Sequence, residues 1–300
     1  MKISRRGFIS GGGAVIAAAA LQGSARAMAP VERVKGSRFK LSCAAYSYRK
    51  YLTGASKDMD LFRFLELCAE MGLDGAELTS YYFEEPTTPQ YLRNLKRRAF
   101  LLGLDVSGTA IRNDFCVAAG EPRRKQMDEV RMRIDQAAEL GAPVIRVFGG
   151  SAPKGVTEED AIKRCIEALQ EACGIAGERG IILGLENHGG ITSTAEQLVT
   201  IVKGVNSPWV GINLDTGNFR GADPYKEIEM AAPYAVTVQV KTEITPAGGQ
   251  KMEADLGREL DILRGAGYRG YVALEYEAQE DPKTAVPKHL AQLRALIDQP

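Results

Sequence analysis

Short apolar runs rich in β-branched residues alternate with longer segments of helical periodicity from residue 39 onward. The segment 58–71 shows the second pattern, because Leu61, Phe64 and Leu65 recur at the i, i+3, i+4 spacing that buries one helical face. Strand and helix are predicted in turn at 41–46 and 58–71, 73–78 and 89–102, 105–110 and 122–140, 143–148 and 158–179, 181–186 and 195–202, 210–215 and 225–232, 235–241 and 252–264, and 271–276 and 284–297. Eight such pairs in about 260 residues predict an α/β fold, the (β/α)8 TIM barrel.

A doubly wound open sheet is the alternative arrangement of alternating strands and helices. That fold usually carries a Gly-rich phosphate-binding loop directly after its first strand, and none follows residues 41–46. The barrel is therefore the preferred prediction, and in a barrel the carboxyl ends of all strands meet on one face.

Four of the later strands end in an oxygen-bearing side chain. These residues are Glu186, Asp215, Gln239 and Glu275, and the gaps between them are 29, 24 and 36 positions. Each gap is about one strand-and-helix unit, so the four side chains are expected to converge on one face of the barrel. An all-oxygen set favours a hard divalent cation, Mn²⁺ or Mg²⁺ before Zn²⁺.

Alternation within these strands gives the polar side chains a direction. In 235–241 the three valines share one face, and Thr237, Gln239 and Lys241 share the other. The apolar face would pack against helices, so the polar face would point into the barrel, where a buried charge needs a metal or a partner. Ordinary strand-end salt bridges are the alternative for any one of these residues alone.

Four residues are candidates for proton transfer. Three carboxylates exceed the charge of a divalent ion, so one of them would be only partly engaged and free to act as a base; Glu186 and Glu275 are the candidates taken up below. His188 follows Glu186 by two positions and is predicted to contact substrate or move a proton, with structural packing as the alternative. Lys241 would either stabilise an enolate oxygen or pair with a carboxylate of the site.

Earlier strand ends supply weaker candidates for contacts with a sugar-sized substrate. Glu77 ends the second strand, and Arg146 and Phe148 share a face of the fourth. Tyr46 and Tyr48 follow the first strand. Each could bind substrate by hydrogen bonding or stacking, and a structural role in a loop is the alternative for each.

Composition excludes several classes of function. The 300 residues contain 38 basic and 38 acidic side chains, with no basic stripe of the kind that binds nucleic acid. No apolar run is long enough to span a membrane. The five cysteines form no C-x-x-C pair and are predicted to be buried small hydrophobic residues. The sequence leaves open whether the chain forms a homo-oligomer.

The first 27 residues differ in kind from the rest. An SRRGFI motif at 4–9 precedes a short Gly- and Ala-rich apolar run, and Ala25 and Ala27 give a small-x-small cleavage site. We therefore expect a removable twin-arginine signal at 1–27, an N-terminal linker at 28–38 and one barrel domain at 39–300. The expected partner is the twin-arginine export machinery, and the expected location is the periplasm or another exported site. A retained N-terminal helix is the alternative.

Four stretches resemble motifs of the sugar phosphate isomerase/epimerase family, within the xylose isomerase-like TIM barrel superfamily. They are LENHGG at 185–190, NLDTGN at 213–218, VQVK at 238–241 and GYRGYVALE at 267–275, and they occur in the family's order. The resemblance implies metal ligands at Glu186, Asp215, Glu275 and the position of Gln239. Gln239 and Asn218 each stand where many members carry a histidine, and Asn218 is expected to bind substrate.

The activity that this resemblance implies is that of a metal-dependent isomerase or epimerase of a keto-sugar or polyol, working through a cis-enediolate. Glu186 and Glu275 would remove and return a proton. A lyase or dehydratase acting on a keto-glycoside or keto-polyol at the same metal site is the first alternative, and a non-catalytic sugar-binding barrel is the second. The apurinic endonucleases share the fold but need a histidine-rich site, and the site predicted here has one histidine.

Overall fold

Parallel strands close into a barrel in the structure, a computed structural model that describes residues 28–298. Within that range each strand pairs with the next along the chain, and the last pairs with the first. The strands are β1 (Arg38–Ala44), β2 (Gly75–Glu77), β3 (Asp105–Ala110), β4 (Val144–Phe148), β5 (Ile182–Glu186), β6 (Val210–Asp215), β7 (Ala235–Val240) and β8 (Arg269–Leu274). The predicted (β/α)8 fold is confirmed.

A helix of eight or more residues follows each strand and covers the outside of the barrel. These helices are α1 (Leu61–Glu70), α2 (Pro89–Leu101), α3 (Glu121–Leu140), α4 (Glu158–Arg179), α5 (Ala195–Val205), α6 (Pro224–Ala231), α7 (Leu256–Gly265) and α8 (Pro282–Ile297). Side-chain caps fix where several of them begin: Thr194, for example, forms a capping box with Gln197 at the start of α5. The apolar helix faces pack on the strands and form one continuous hydrophobic core.

Side-chain alternation is lost at the end of β1. The strand stops at Ala44, and Ala45–Tyr48 forms a turn of 3-10 helix where the pattern predicted that the strand continues to residue 46. A 3-10 turn repeats every three residues, so side chains two positions apart no longer share a face. Tyr46 and Tyr48 therefore enter different surroundings.

A small hairpin interrupts the unit that follows β7. It pairs Glu243–Ile244 with Met252–Glu253 in antiparallel register. The seventh helix consequently begins at Leu256, and its predicted start at residue 252 is wrong. Asp255 caps that start, since its side chain accepts a hydrogen bond from the backbone N–H of Arg258.

Residues 28–37 form no helix or strand, but they lie against the amino-terminal end of the barrel. The backbone N–H of Val31 donates to the carbonyl oxygen of Pro233, and the Arg33 guanidinium donates to that of Ala235 at 2.5 Å. The expected export signal at 1–27 lies outside the described residues.

The five cysteines are free and buried, as predicted. Burial raises the pKa of each thiol whose shift is described, for example Cys43 to about 12, so these are packing residues. Among residues 28–298, no helix combines the length and apolar character needed to cross a membrane.

Candidate active site

A cavity of about 190 Å³ opens at the carboxyl ends of the strands. It is lined by Tyr46, Tyr81, Arg112, Arg146, Phe148, Glu186, His188, Asn218, Lys241, Glu275 and Glu277. Eight of the predicted site residues line it together, namely Tyr46, Arg146, Phe148, Glu186, His188, Asn218, Lys241 and Glu275. The strand-end pattern therefore located one site, as a barrel requires.

On one side of the cavity, Glu186 at the end of β5 is held by two neighbours. The Nε atom of Arg146 lies 2.8 Å from Glu186 Oε2, and Asn218 donates to Glu186 Oε1 at 3.1 Å. Arg146 is itself fixed, because it donates to the carbonyl of Ile111 at 2.8 Å and its guanidinium lies 4.0 Å above the ring of Phe148. The cation beside Glu186 is thus part of the rigid β4 wall.

On the other side, the ammonium of Lys241 contacts three carboxylates. Its Nζ atom lies 2.5 Å from Glu275 Oε2, 2.6 Å from Glu277 Oε2 and 3.3 Å from Asp215 Oδ2. Asp215 is oriented from behind by Asn187, whose side chain exchanges hydrogen bonds with the Asp215 backbone at 2.8 and 3.0 Å. Of the two roles predicted for Lys241, pairing with site carboxylates is the one present in this structure.

Gln239 lies beneath the cavity floor, fully buried in β7. Its oxygen accepts a hydrogen bond from Asn213 at 2.8 Å. Its nitrogen donates to Glu77 at 2.8 Å and lies 3.4 Å from an oxygen of Glu275. This orientation differs from the one that ligation of a metal requires, since the amide would have to turn before its oxygen faced the carboxylates.

Four buried carboxyl groups, those of Glu77, Glu186, Asp215 and Glu275, form what we call the carboxylate cluster. Burial raises the pKa of both Glu77 and Asp215 to about 7, and the charge of Glu275 adds to each shift. Burial also raises the pKa of Glu186 well above its usual range, against the opposing charge of Arg146. Glu77, Glu186 and Asp215 therefore hold protons more tightly than ordinary carboxylates, because burial disfavours their charged forms.

Aromatic and basic side chains form the mouth of the cavity. The rings of Phe148 and His188 have centroids 4.3 Å apart, and Arg112 lies above the ring of Tyr81 at 5.3 Å. Partial burial, helped by the charges of Arg146 and Lys241, lowers the pKa of His188. His188 is therefore neutral near pH 7 and able to donate or accept a hydrogen bond.

Two predicted substrate contacts lie elsewhere. Tyr48 is 2% exposed and packs in the core with its ring 5.9 Å from that of Phe64, because the 3-10 turn after β1 rotates it away from the cavity that Tyr46 lines. Glu77 points into the barrel as predicted, but it lies below the cavity, bonded to Gln239. Neither residue is among those that line the cavity.

The sequence analysis assigned no role to several residues that the structure places at the site. Glu277 had a detectable signal, because it follows Glu275 by two positions on the polar face of the eighth strand segment. Tyr81 sits on a turn after β2, where no periodicity marks it, and it accepts a hydrogen bond from Arg146 at 3.1 Å. Asn213, which holds the Gln239 amide, shares the inward face with Asp215.

A family model described as a xylose isomerase-like TIM barrel matches residues 65–296, which is most of the chain. The chain belongs to this family. The resemblance carried by the four sequence motifs is thereby confirmed as far as the xylose isomerase-like TIM barrel.

Known members of this fold carry out several reactions. The 3-oxo-isoapionate decarboxylase of Pectobacterium atrosepticum is 27% identical to this chain over 188 residues, an alignment that covers 61% of each protein and so less than two thirds of that relative. The structure of D-psicose 3-epimerase from Clostridium cellulolyticum H10 with D-tagatose is similar, with a TM-score of 0.69, 17% identity and coverage of 86% of this chain and 97% of that one. The IolI protein with a bound zinc atom is also similar, with a TM-score of 0.67, 21% identity and coverage of 86% and 96%. At these identities the solved structures establish the fold.

The charge of the carboxylate cluster fits a divalent cation. If all four buried carboxyl groups are ionised, they exceed the two buried cations, Arg146 and Lys241, by two negative charges, a charge that a divalent cation would balance. Asp215 Oδ2 also makes no hydrogen bond within the described range. As the side chains stand, however, no three Asp, Glu, His or Cys residues in 28–298 are arranged around a point that could hold a metal. Lys241 lies between two of the predicted ligands.

Proposed function

We propose that the chain is a divalent-metal-dependent isomerase or epimerase of a keto-sugar or polyol that works through a cis-enediolate. The observation that carries this proposal is that Glu186 and Glu275 line the same cavity although β6 and β7 stand between their strands in the barrel. Two carboxylates that reach a substrate from different sides can remove a proton on one face and return it on another.

Glu186, Asp215 and Glu275, with the oxygen of Gln239 after its amide has turned, would hold the metal. When bound, a divalent cation polarises a carbonyl and its neighbouring hydroxyl and so makes the intervening C–H more acidic. The excess negative charge of the carboxylate cluster supports this assignment. Mn²⁺ and Mg²⁺ are the ions that we propose, because the donor atoms are all oxygen.

The side chains of the cavity would perform the remaining steps. Glu186 has a raised pKa and is thus a stronger base than an ordinary carboxylate. Glu186 would keep the proton that it removes, and Glu275 in its protonated form would give a different one, to the opposite face of the same carbon for an epimer or to the neighbouring carbon for an isomer. Neutral His188 would exchange a proton with a substrate hydroxyl, while Phe148 and Tyr81 cover the sugar ring.

A lyase that uses the same enediolate is the second candidate. It is favoured by the decarboxylase among the relatives, which shares 27% identity with this chain. In a decarboxylation the electron pair of the broken C–C bond would form the enediolate. In the loss of water or an aglycone, proton removal would form the enediolate and its electron pair would then expel the leaving group. The residues that hold the oxygens are the same in both cases. The two candidates differ in mass balance, because a lyase releases carbon dioxide, water or an aglycone.

Turnover in D₂O with Mn²⁺ and a panel of keto-sugars tests the proposal. An isomerase or epimerase should conserve mass and place deuterium on carbon, and Glu186→Gln should lose about 10²-fold or more of kcat. Glu178→Gln, an exposed glutamate on α4, is the matched control and should turn over normally. Unchanged turnover in Glu186→Gln would overturn the role of Glu186, and product with a lower mass would establish the lyase.

We also propose that the protein is exported. The SRRGFI motif and the small-x-small site within residues 1–27 support this proposal. Replacement of both arginines of the motif by lysine should leave the protein in the cytoplasm, as cell fractionation would measure. Unchanged export would contradict it.

A further inference from the structure

The ammonium of Lys241 contacts two of the carboxylates that are proposed to bind the metal. Its Nζ atom is 2.5 Å from Glu275 and 3.3 Å from Asp215. A divalent cation bound by the same two carboxylates would lie within a few ångströms of this ammonium, and two cations repel each other strongly when they are that close in a buried site. The two therefore cannot share the space between these carboxylates.

Lys241 already contacts a third carboxylate that is not among the assigned ligands. Glu277 Oε2 lies 2.6 Å from Nζ, and the Glu277 side chain is 36% exposed where those of Asp215 and Glu275 are 0% and 8%. A neighbouring cavity of about 60 Å³ is lined by both Lys241 and Glu277. There is thus space for the ammonium on the Glu277 side.

The base of the lysine side chain is fixed, and its tip is not. A Cβ atom added at Gly217 would lie 2.5 Å from both Cβ and Cγ of Lys241, so the absence of a side chain at Gly217 is what admits the lysine stem. The backbone N–H of Lys241 donates to Thr216 at 3.0 Å. Beyond Cγ, every polar contact of the side chain is to a carboxylate, and rotation about its last bonds can exchange one carboxylate for another.

We propose that Lys241 is an internal counter-ion with two positions. It neutralises Asp215 and Glu275 when no metal is bound, and it moves to Glu277 alone when a divalent cation binds. Glu277 is then a positioning residue that acts through Lys241. This inference rests on the proposed metal-dependent function.

A double-mutant cycle on Mn²⁺ affinity tests the exchange, with free Mn²⁺ measured by its EPR signal. Lys241→Met should bind Mn²⁺ at least about tenfold more tightly than wild type, because the competing cation is gone. Glu277→Gln should bind about tenfold more weakly, because the displaced ammonium has lost its alternative partner. In the Lys241→Met background the same Glu277→Gln change should alter affinity by less than about twofold.

The outcomes separate this inference from the function on which it rests. If Glu277→Gln weakens binding by the same factor in both backgrounds, the two charges act independently and the exchange is wrong. If folded wild type binds no Mn²⁺, the metal-dependent function itself fails, and the exchange fails with it. Lys283→Met, which removes an exposed lysine paired with Asp58, is the matched control and should bind as wild type does.

Lys241→Met leaves two buried carboxylates without a cation, so circular dichroism must first establish that it folds. If Lys241→Met does not fold, Lys241→Gln replaces it in the cycle, because its amide has no charge but can donate a hydrogen bond to a carboxylate of the site. A crystal structure with bound Mn²⁺ is the second readout and should place Nζ within hydrogen-bonding distance of Glu277 and beyond 4 Å from Asp215, a separation at which no ion pair is counted. An ammonium still bridging Asp215 and Glu275 in that structure would overturn the exchange.

Discussion

Two cations meet the carboxylate cluster, and the barrel holds them in different ways. Arg146 projects from within β4, is bonded to the carbonyl of Ile111 and stacks on Phe148. Lys241 stands just past the end of β7, and the polar contacts of its ammonium are all to carboxylates. The β4–β5 side of the site is therefore a fixed wall, whereas the β6–β8 side can rearrange.

The contrast follows from the chemistry of the two side chains. A guanidinium offers five donors in one plane, so it can bind a carboxylate, a carbonyl and an aromatic face together. An ammonium is a compact charge on a flexible side chain, so rotation of that side chain can bring it to whichever carboxylates carry the most negative charge. The fixed guanidinium of Arg146 can hold a base such as Glu186 in one orientation. The mobile ammonium of Lys241 can leave its position when a metal ion binds there.

The largest expected effect comes from breaking the fixed side. Arg146→Met should lower the free energy of unfolding by about 3–5 kcal/mol, because it removes the charge partner of Glu186 together with the hydrogen bond to the carbonyl of Ile111 and the contact with the Phe148 ring. Chemical denaturation at pH 7 without metal measures this change. A loss below about 1 kcal/mol would mean that the contacts of Arg146 on the β4–β5 side do not stabilise the fold.

Breaking the mobile side should cost less. Without metal, Lys241→Met should lose about 1–3 kcal/mol of unfolding free energy, since Asp215, whose pKa is about 7, can take up a proton instead. Excess Mn²⁺ should restore most of the loss, as thermal melts with and without the ion would measure. A loss as large as that of Arg146→Met, with no recovery, would remove the distinction between the two sides.

A carboxyl group that forms no ion pair with any residue of 28–298 extends the comparison. Glu259 on α7 is fully buried, and neither of its oxygens makes a hydrogen bond of normal geometry in the described range, although the Thr216 hydroxyl lies near enough to oppose part of the rise in its pKa. Burial raises its pKa well above the usual 4.5. When folding raises the pKa of a group, its contribution to the free energy of unfolding is fully present at pH values below the pKa of the unfolded state. That contribution is lost as the pH rises through the pKa of the folded state.

Wild type should therefore lose unfolding free energy with rising pH, by up to about 1.4 kcal/mol per pH unit from this group, and Glu259→Gln should remove that part of the slope. Urea denaturation from pH 5 to pH 9, with both proteins in the same buffers, measures the difference. Parallel profiles would mean that Glu259 does not titrate in this range.

The smallest effect is expected at an exposed pair. Arg179 Nε lies 2.7 Å from Asp135 Oδ1, but the two side chains are 54% and 48% exposed. Arg179→Met should change the free energy of unfolding by less than about 1 kcal/mol, because solvent screens the pair. A larger change would mean that exposed and buried ion pairs contribute similarly to the free energy of unfolding, so this measurement could not distinguish the pairs of Arg146 and Lys241 from an ordinary surface pair.

Much of the site was predictable because strands obey a simple period. The endpoints of β5 and β6 place Glu186 and Asp215 as predicted, and the alternation in β7 correctly turned Gln239 inward. The same reasoning failed at Tyr48, where a 3-10 turn replaced the strand. It also missed the hairpin after β7, since two-residue strands leave no periodic signal.

The sequence by itself determined the number and order of the strands, the family and the ring of polar side chains at the strand ends. Those properties depend on local periodicity and on the single way in which eight parallel strands close. Only the tertiary structure decided which acid meets which cation. Glu186 and Arg146 are 40 positions apart, and Lys241 and Glu277 are 36, so their pairing depends on how the barrel closes and not on any local pattern.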